Sequence, residues 1–183
     1  MMGMDSHPLS KFLYCPRCGS SRFVVNNTAS KRCEACGFVY YSNPRAAVVA
    51  VIWDEKGRLL VARRGKEPAK GTLDLPGGFT ENGETAENAL CREVFEETGI
   101  DVHSARYLFS EPNIYSYSGI EIDTMDLFFE VHVDSSLPVR GQDDVAEVMW
   151  LPFEELETSL FGLSSIRKGL QRLKELRQKS IEK

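Results

Sequence analysis

The stretch GGFTENGETAENALCREVFEETGI at residues 77–100 decides how this chain is read. It holds six carboxylates, and Arg92 is the only basic residue among them. An exposed helix usually mixes its charges, because opposite signs three or four residues apart support each other. Here the signs are not mixed, so something outside the segment must compensate the acids. Pro76-Gly77-Gly78 makes a turn that needs glycine freedom, and Phe79 can anchor it. The pattern predicts a helix from about Glu84–Thr85 to Gly99, a natural C-cap. Glu93, Glu96 and Glu97 then stand at i, i+3 and i+4 and share one face. Ala86 and Ala89 leave room on that face, while Leu90 and Val94 lie to one side and can face a core. Clustered oxygens with room for water suit hard cations such as Mg²⁺ or Mn²⁺, which bind carboxylates together with substrate phosphates. A solvated acidic face is the plain alternative; the sign imbalance and the glycine-rich lead-in argue against it.

The flanking sequence is rich in strands. AAVVAVIWD at 46–54 and RLLVARR at 58–64 read as a hairpin of buried strands around the turn EKG. GKEPAKGTLDLPGGF reads as loop. IDVHSARYLFSEP at 100–112 suggests a further strand, and IEIDTMDLFFEVHVD at 120–134 should hold the longest one. VAEVMWLPFEEL at 145–156 passes from strand to turn. From Ser164 onward, Ile166, Leu170, Leu173 and Leu176 recur at helical spacing, which predicts an amphipathic helix packed on the core. Strands, helix, strands, helix is the order of an α/β or α+β domain with a mixed sheet.

The cysteines set the N-terminal part apart. CPRC at 15–18 and CEAC at 33–36 are two C-x-x-C pairs, each followed by a glycine. Cys15, Cys18, Cys33 and Cys36 can close a tetrahedral Zn²⁺ site with no position left for water, so the zinc should be structural. SSRFVVNNTASKR between them reads as strand, Asn-rich turn, strand. The expected organisation is a zinc ribbon over residues 1–42 and a second domain over 43–183, with YYSNPR at 40–45 as linker. Cys91 stands alone in the helical segment and reads as a small semi-buried residue.

Composition bounds the rest. The chain has 183 residues, 42% hydrophobic and 27% charged, ordinary for a globular protein with a sizeable core. Its net charge is −5, so it is no general polyanion binder. Residues 1–45 nevertheless carry Lys11, Arg17, Arg22, Lys31, Arg32 and Arg45 against Asp5 and Glu34. That basic bias raises RNA as a partner, although no dense Arg/Lys run or aromatic row supports it. No apolar run reaches the length of a membrane helix, and MMGMDSHPLSKF lacks the pattern of a secretory signal. The expectation is a cytoplasmic protein with free or metal-bound thiols.

The acidic stretch resembles the Nudix box, Gly-x5-Glu-x7-Arg-Glu-U-x-Glu-Glu-x-Gly-U with U aliphatic. Gly78, Glu84, Arg92, Glu93, Val94, Glu96, Glu97, Gly99 and Ile100 fill every defined position. The resemblance implies an α/β/α sandwich with a mixed sheet, and cleavage of the pyrophosphate bond in nucleoside diphosphates linked to another moiety. It implies that Glu93, Glu96 and Glu97 hold Mg²⁺ or Mn²⁺, with Glu84 supporting the site, a Gly77 carbonyl beside it and Arg92 orienting the glutamates. Glu93, or an acid after the box, would act as general base. The later candidates are Asp144 and Glu147, with Asp143 beside them.

A four-cysteine ribbon, a YYSNP link and this box together resemble the NADH pyrophosphatase type of Nudix enzyme. SEPNIYSYS at 110–118 matches that group's post-box motif at Ser110, Pro112 and Ser118 and differs in its middle. Gly78, Phe79, Arg63, Arg64, Tyr115 and Tyr117 are the candidate substrate contacts: the arginines for phosphate, the tyrosines for stacking on a base or ribose. ADP-ribose, NAD(H) or a similar nucleotide is the expected substrate. The alternatives are (d)NTP pool cleansing, hydrolysis of NAD-capped RNA, and a non-catalytic nucleotide sensor or nucleic-acid-binding module. A homodimer is expected from the resemblance alone.

Overall fold

We describe the protein from a computed structural model, in which residues 7–136, 138–141 and 145–181 are described. The chain divides into two compact units. One holds the chain up to Pro44 with Ser116–Asp123; the other holds Arg45–Tyr115 and the chain from Thr124 onward.

In the first unit, β1 (Phe23–Asn27), β2 (Ser30–Cys33) and β3 (Val39–Tyr41) form an antiparallel sheet in that order. The expected strand–turn–strand is therefore present, and a third strand joins it. Tyr40 and Tyr41 pair with Lys31 and Ser30, so they belong to β3 and not to a linker. β-prone aromatic residues beside an open sheet edge explain the difference. Cys15, Phe23 and Cys33 form the small hydrophobic cluster of this unit, with Phe38 against it, and Leu9 is buried as well.

The second unit is built on β4 (Arg45–Trp53), β5 (Arg58–Arg64), β6 (Leu73–Asp74) and β7 (Gly77–Phe79), then α1 (Ala86–Thr98), most of β8 (Arg106–Tyr117) and of β9 (Ile120–His132), β10 (Val145–Pro152) and α2 (Ser164–Ile181). The seven strands make one mixed sheet, whose backbone order is β10-β5-β4-β9-β8. β4 runs parallel to β9 from Arg45↔Thr124 to Trp53↔His132. Val48, Ala50 and Ile52 of β4 face a core closed by Ala89, Leu90 and Val94 of α1. Val49, Val51 and Trp53 face a second core closed by Ile166, Leu170 and Leu173 of α2. A strand buried on both faces must be apolar throughout, and AAVVAVIW is. The result is the expected α/β/α sandwich.

The expected hairpin differs. β4 and β5 share one register pair, Trp53↔Leu59, and then separate. The segment containing PGGF takes the freed edges. β6 pairs with β5, and β7 pairs antiparallel with β4 through Ala47↔Phe79, Val48↔Gly78 and Val49↔Gly77. Between them the Pro76 carbonyl accepts from the Ala50 N–H at 2.8 Å. At the closed end, Asp54 accepts from the Arg58 N–H (2.7 Å), the Arg58 Nε (2.6 Å) and the Lys56 N–H (3.0 Å). Burial pushes its carboxyl up, but these bonds outweigh burial and hold it below the usual carboxylate range.

The strand expected at 100–112 starts later, at Arg106, and runs on to Tyr117. Ile100 and Val102 instead bury in the α1 core. SEPNIYSYS thus lies largely on β8, an edge strand, where Pro112 is tolerated. β9 is the longest strand, as expected. On α2 the apolar seam is buried through Leu173, while Leu176 is exposed. No described helix is long and apolar enough to cross a membrane.

Candidate active site

β7 delivers the start of the acidic segment against the end of α1. The Gly77 N–H donates to Glu97 Oε2 at 2.9 Å. A Cβ at Gly77, where φ is +148°, would lie 2.1 Å from the Val48 carbonyl oxygen, and a Cβ at Gly78 would lie 2.5 Å from the Glu93 carboxylate. Only bare backbone can pass here. α1 itself is capped as its sequence predicts. Thr85 Oγ1 accepts from the Asn88 N–H at 3.2 Å, and Gly99 closes the helix in the left-handed conformation.

Arg92 ties the cluster together. Its Nε and Nη2 donate to the two oxygens of Glu84 at 3.0 and 2.9 Å. Its Nη1 reaches Glu93 (2.8 Å) and Glu96 (3.1 Å), and Nη2 also reaches the Phe79 carbonyl (3.1 Å). The Glu84 bonds are the main reason its already high pKa rises further. Glu84 in turn lies below the usual range, held there by Arg92 and by the Glu81 N–H. Glu84 braces Arg92 and does not line the cavity.

Burial pushes Glu93 up; Arg92 opposes this and Glu96 adds to it. Burial also pushes Glu97 up to about 8, against the Gly77 N–H and with Asp74 and Glu93 adding. Even with Arg92 beside Glu93, burial and the neighbouring acids oppose full ionisation of Glu93 and Glu97, which a further cation would relieve. Among the described residues only the four cysteines converge into a tight ligand group, so the glutamates form no closed cage. An open set of oxygens fits an ion that completes its shell with water and phosphate oxygens.

The glutamates line a cavity of about 400 Å³ that also takes in Gly77, Gly78 and Phe79. Arg64 enters it, paired with Asp74 through Nη1 at 2.5 Å and with the Tyr115 hydroxyl through Nη2 at 3.3 Å. Tyr115 stands edge-on to Phe79 at 5.3 Å, and the Arg45 guanidinium lies over Phe79 at 4.3 Å. The structure therefore brings Arg64, Phe79 and Tyr115 to the glutamates. It does not bring Arg63, whose Nε meets the exposed Glu147 at 3.3 Å and whose Nη1 meets the Gly71 carbonyl outside the cavity. Tyr117 is exposed and lines no part of the cavity. Asp143 and Asp144 lie outside the described residues.

Four buried polar residues of the cavity were missed in the sequence: Asp74, Asn113, Thr124 and Asp126. A signal existed for one pair. In IEIDTMDLFF, period two puts Thr124 and Asp126 on the same face as the buried Phe128, and a carboxylate on a core face asks for a partner. Asp74 was hidden in a segment read as loop.

In the N-terminal unit the four thiols are free, and their sulfurs all lie within 4.8 Å of one another. Cys15–Cys36 and Cys18–Cys33 stand 3.8 and 3.6 Å apart. Sulfurs about 2.3 Å from a tetrahedral zinc stand about 3.8 Å from each other. Burial pushes Cys33 up, but the N–H groups of Cys36 and Ala35 and the adjacent thiols bring it down to about 6. The donor set fits zinc.

The family description that the chain matches is the NUDIX domain, over residues 43–173. A NAD-capped RNA hydrolase NudC from Vibrio parahaemolyticus is 28% identical over 150 residues, covering 82% of this chain and 55% of that protein. This chain spans about half the length of the curated relatives it matches, or less. Among solved structures, a MutT NUDIX hydrolase from Burkholderia pseudomallei is 27% identical, covers 70% of this chain and 97% of its own, and has a TM-score of 0.60. A NUDIX hydrolase from Nitrosomonas europaea, 23% identical, shares the fold over 90% of this chain and 92% of its own, with a TM-score of 0.65.

Proposed function

The chain belongs to the Nudix family, and on that premise we propose that it is a divalent-metal-dependent pyrophosphohydrolase of a nucleoside diphosphate linked to another moiety, such as ADP-ribose or NAD(H). The observation that carries this reading is the α1 face: Glu93, Glu96 and Glu97 on the wall of a cavity, two of them held by Arg92. Glu93, Glu96, Glu97 and the Gly77 carbonyl would hold Mg²⁺ or Mn²⁺. When bound, the metal neutralises pyrophosphate oxygens and lowers the pKa of the attacking water. Arg92 keeps the glutamates aimed, with Glu84 bracing Arg92 from behind. Glu93 takes the proton from the water. Among the described residues it is better placed for this than Glu147, because Glu93 lines the cavity and Glu147 is exposed outside it. The products are a nucleoside monophosphate and the phosphorylated remainder.

The four cysteines hold a structural zinc in a ribbon over residues 1–42, and the hydrolase domain takes 43–183. The relatives named as NAD-capped RNA hydrolases support a second substrate, since an NAD cap presents the same bond on an RNA 5′ end. The setting is the cytoplasm, and the assembly a homodimer.

The test is incubation with Mg²⁺ or Mn²⁺ and NADH, NAD⁺, ADP-ribose, nucleotide sugars, dinucleoside polyphosphates, dNTPs and NAD-capped RNA. A Glu96→Gln, Glu97→Gln double variant serves as control. Release of a nucleoside monophosphate by the parent protein alone is the expected result. No cleavage of any substrate by metal-bound protein would refute the enzymatic reading.

A further inference from the structure

The cavity extends to the start of α2, where Leu163 and Ile166 line it. Two adjacent serines there hold two side chains from the sheet. Ser164 Oγ donates to Asn113 Oδ1 at 2.8 Å, and Ser165 Oγ donates to Asp126 Oδ2 at 2.5 Å. Thr124 Oγ1 donates to Asp126 Oδ1 at 2.7 Å. Asn113 is 6% exposed and Asp126 4%, and both line the cavity. With Oδ1 taken by Ser164, Nδ2 is the half of the Asn113 amide that a ligand in the cavity can use. The Asp126 oxygens accept one hydroxyl each and keep further lone pairs. A donor and an acceptor, each fixed by a serine hydroxyl at the start of α2, therefore line a cavity whose walls also include Val49, Leu163 and Ile166.

We propose that Asn113 and Asp126 are specificity-determining residues that read the hydrogen-bonding edge of a nucleobase carrying an acceptor beside an amino group, as adenine does. Asn113 Nδ2 donates to the ring nitrogen and Asp126 accepts from the amino group. The inference rests on the proposed function and names the part of the substrate that sets its specificity. A phosphate does not fit this end: Asp126 and Asp74 would repel it, and Arg64 is already engaged by Asp74. A sugar needs polar partners around its whole rim, whereas a flat heterocycle wants apolar faces and a few polar groups at one edge. A buried donor left unpaired by the wrong ligand costs affinity, which is how such a pair discriminates.

The test is calorimetric binding of AMP, IMP and ribose 5-phosphate, which needs no turnover. The parent protein should bind AMP about tenfold or more tighter than ribose 5-phosphate. Asn113→Asp, which puts an acceptor where the donor stood, and Asp126→Asn should each remove most of that advantage and leave ribose 5-phosphate unchanged. Asn113→Ala is the milder variant, and the ratio of the two affinities does not depend on how much of a sample is folded. Equal losses for AMP and ribose 5-phosphate, or unchanged AMP binding, would overturn the proposal. Base-selective binding without turnover of any substrate would sink the enzymatic reading and leave this one standing. Turnover with base-blind binding would do the reverse.

Discussion

Two clusters of like groups stand in this chain, four thiols in the first unit and the α1 carboxylates in the second, and they are supported in opposite ways. Around the thiols there is little core: Cys15 and Cys33 are themselves two of the three members of its hydrophobic cluster, while Leu13, Tyr14, Val24 and Val25 remain exposed. Behind the carboxylates stand Ala89, Leu90 and Val94, packed on a sheet that is buried on both faces. On the proposed reading, the first cluster would need its metal to have a fold at all. The second is a finished surface that, on the same reading, would receive a metal and a substrate.

The largest effect expected from this contrast is on zinc removal. Stripping zinc with a chelator, or substituting Cys33→Ser, should abolish amide-exchange protection across β1, β2 and β3 and leave the sandwich strands protected. Retained protection in β1–β3 would break the comparison. Next comes Glu96→Gln with Glu97→Gln. Turnover should fall by about a thousandfold or more. The melting temperature should hold or rise, because two acidic groups that crowd Glu93 are replaced by neutral amides. A large loss of stability would mean that the carboxylates are as structural as the thiols.

The two glycines sharpen the contrast within the site. Gly77→Ala drives a Cβ into the Val48 backbone at a positive φ, and should cost about 2–4 kcal/mol in chemical denaturation. At Gly78→Ala the atoms nearest the new Cβ all belong to the Glu93 carboxylate, the far end of a side chain that can shift. It should lower turnover by about tenfold with little change in stability. The smallest effect is expected far from both clusters, at Asp54. Its pKa is depressed in the folded protein, so its contribution is complete above the ordinary aspartate value near 4 and is lost as pH falls through the lower folded value. Asp54→Asn should therefore lower the melting temperature by about 3 °C at pH 7, and the gap should close below about pH 4. A gap that widened in acid would reverse the sign assigned here.

What could be read in advance was local. The α1 caps, its shared glutamate face and the thiol pairs all depend on spacings of two to four residues, and each is where the sequence puts it. What could not be read depends on pairing across the sheet. Nothing in RLLVARR says that β5 leaves β4 after one pair, because the competing partner lies ten residues on. Arg63 and Arg64 show the same limit. Alternation says that they point opposite ways, but only the register decides that Arg64 meets Asp74 inside while Arg63 meets Glu147 outside. Asn113 and Asp126 are each fixed by a hydroxyl at the start of α2, Ser164 and Ser165, 51 and 39 residues further along.

The pairing of β7 with β4 has a consequence in time. A glycine-rich loop at a protein surface usually opens and closes on its own, far faster than the molecule unfolds. Here Gly77 and Gly78 are laced to Val49 and Val48 of the central strand while touching Glu97 and Glu93. Releasing them means unzipping part of that strand. The shape offered to substrate should accordingly persist for as long as the core does, between one turnover and the next.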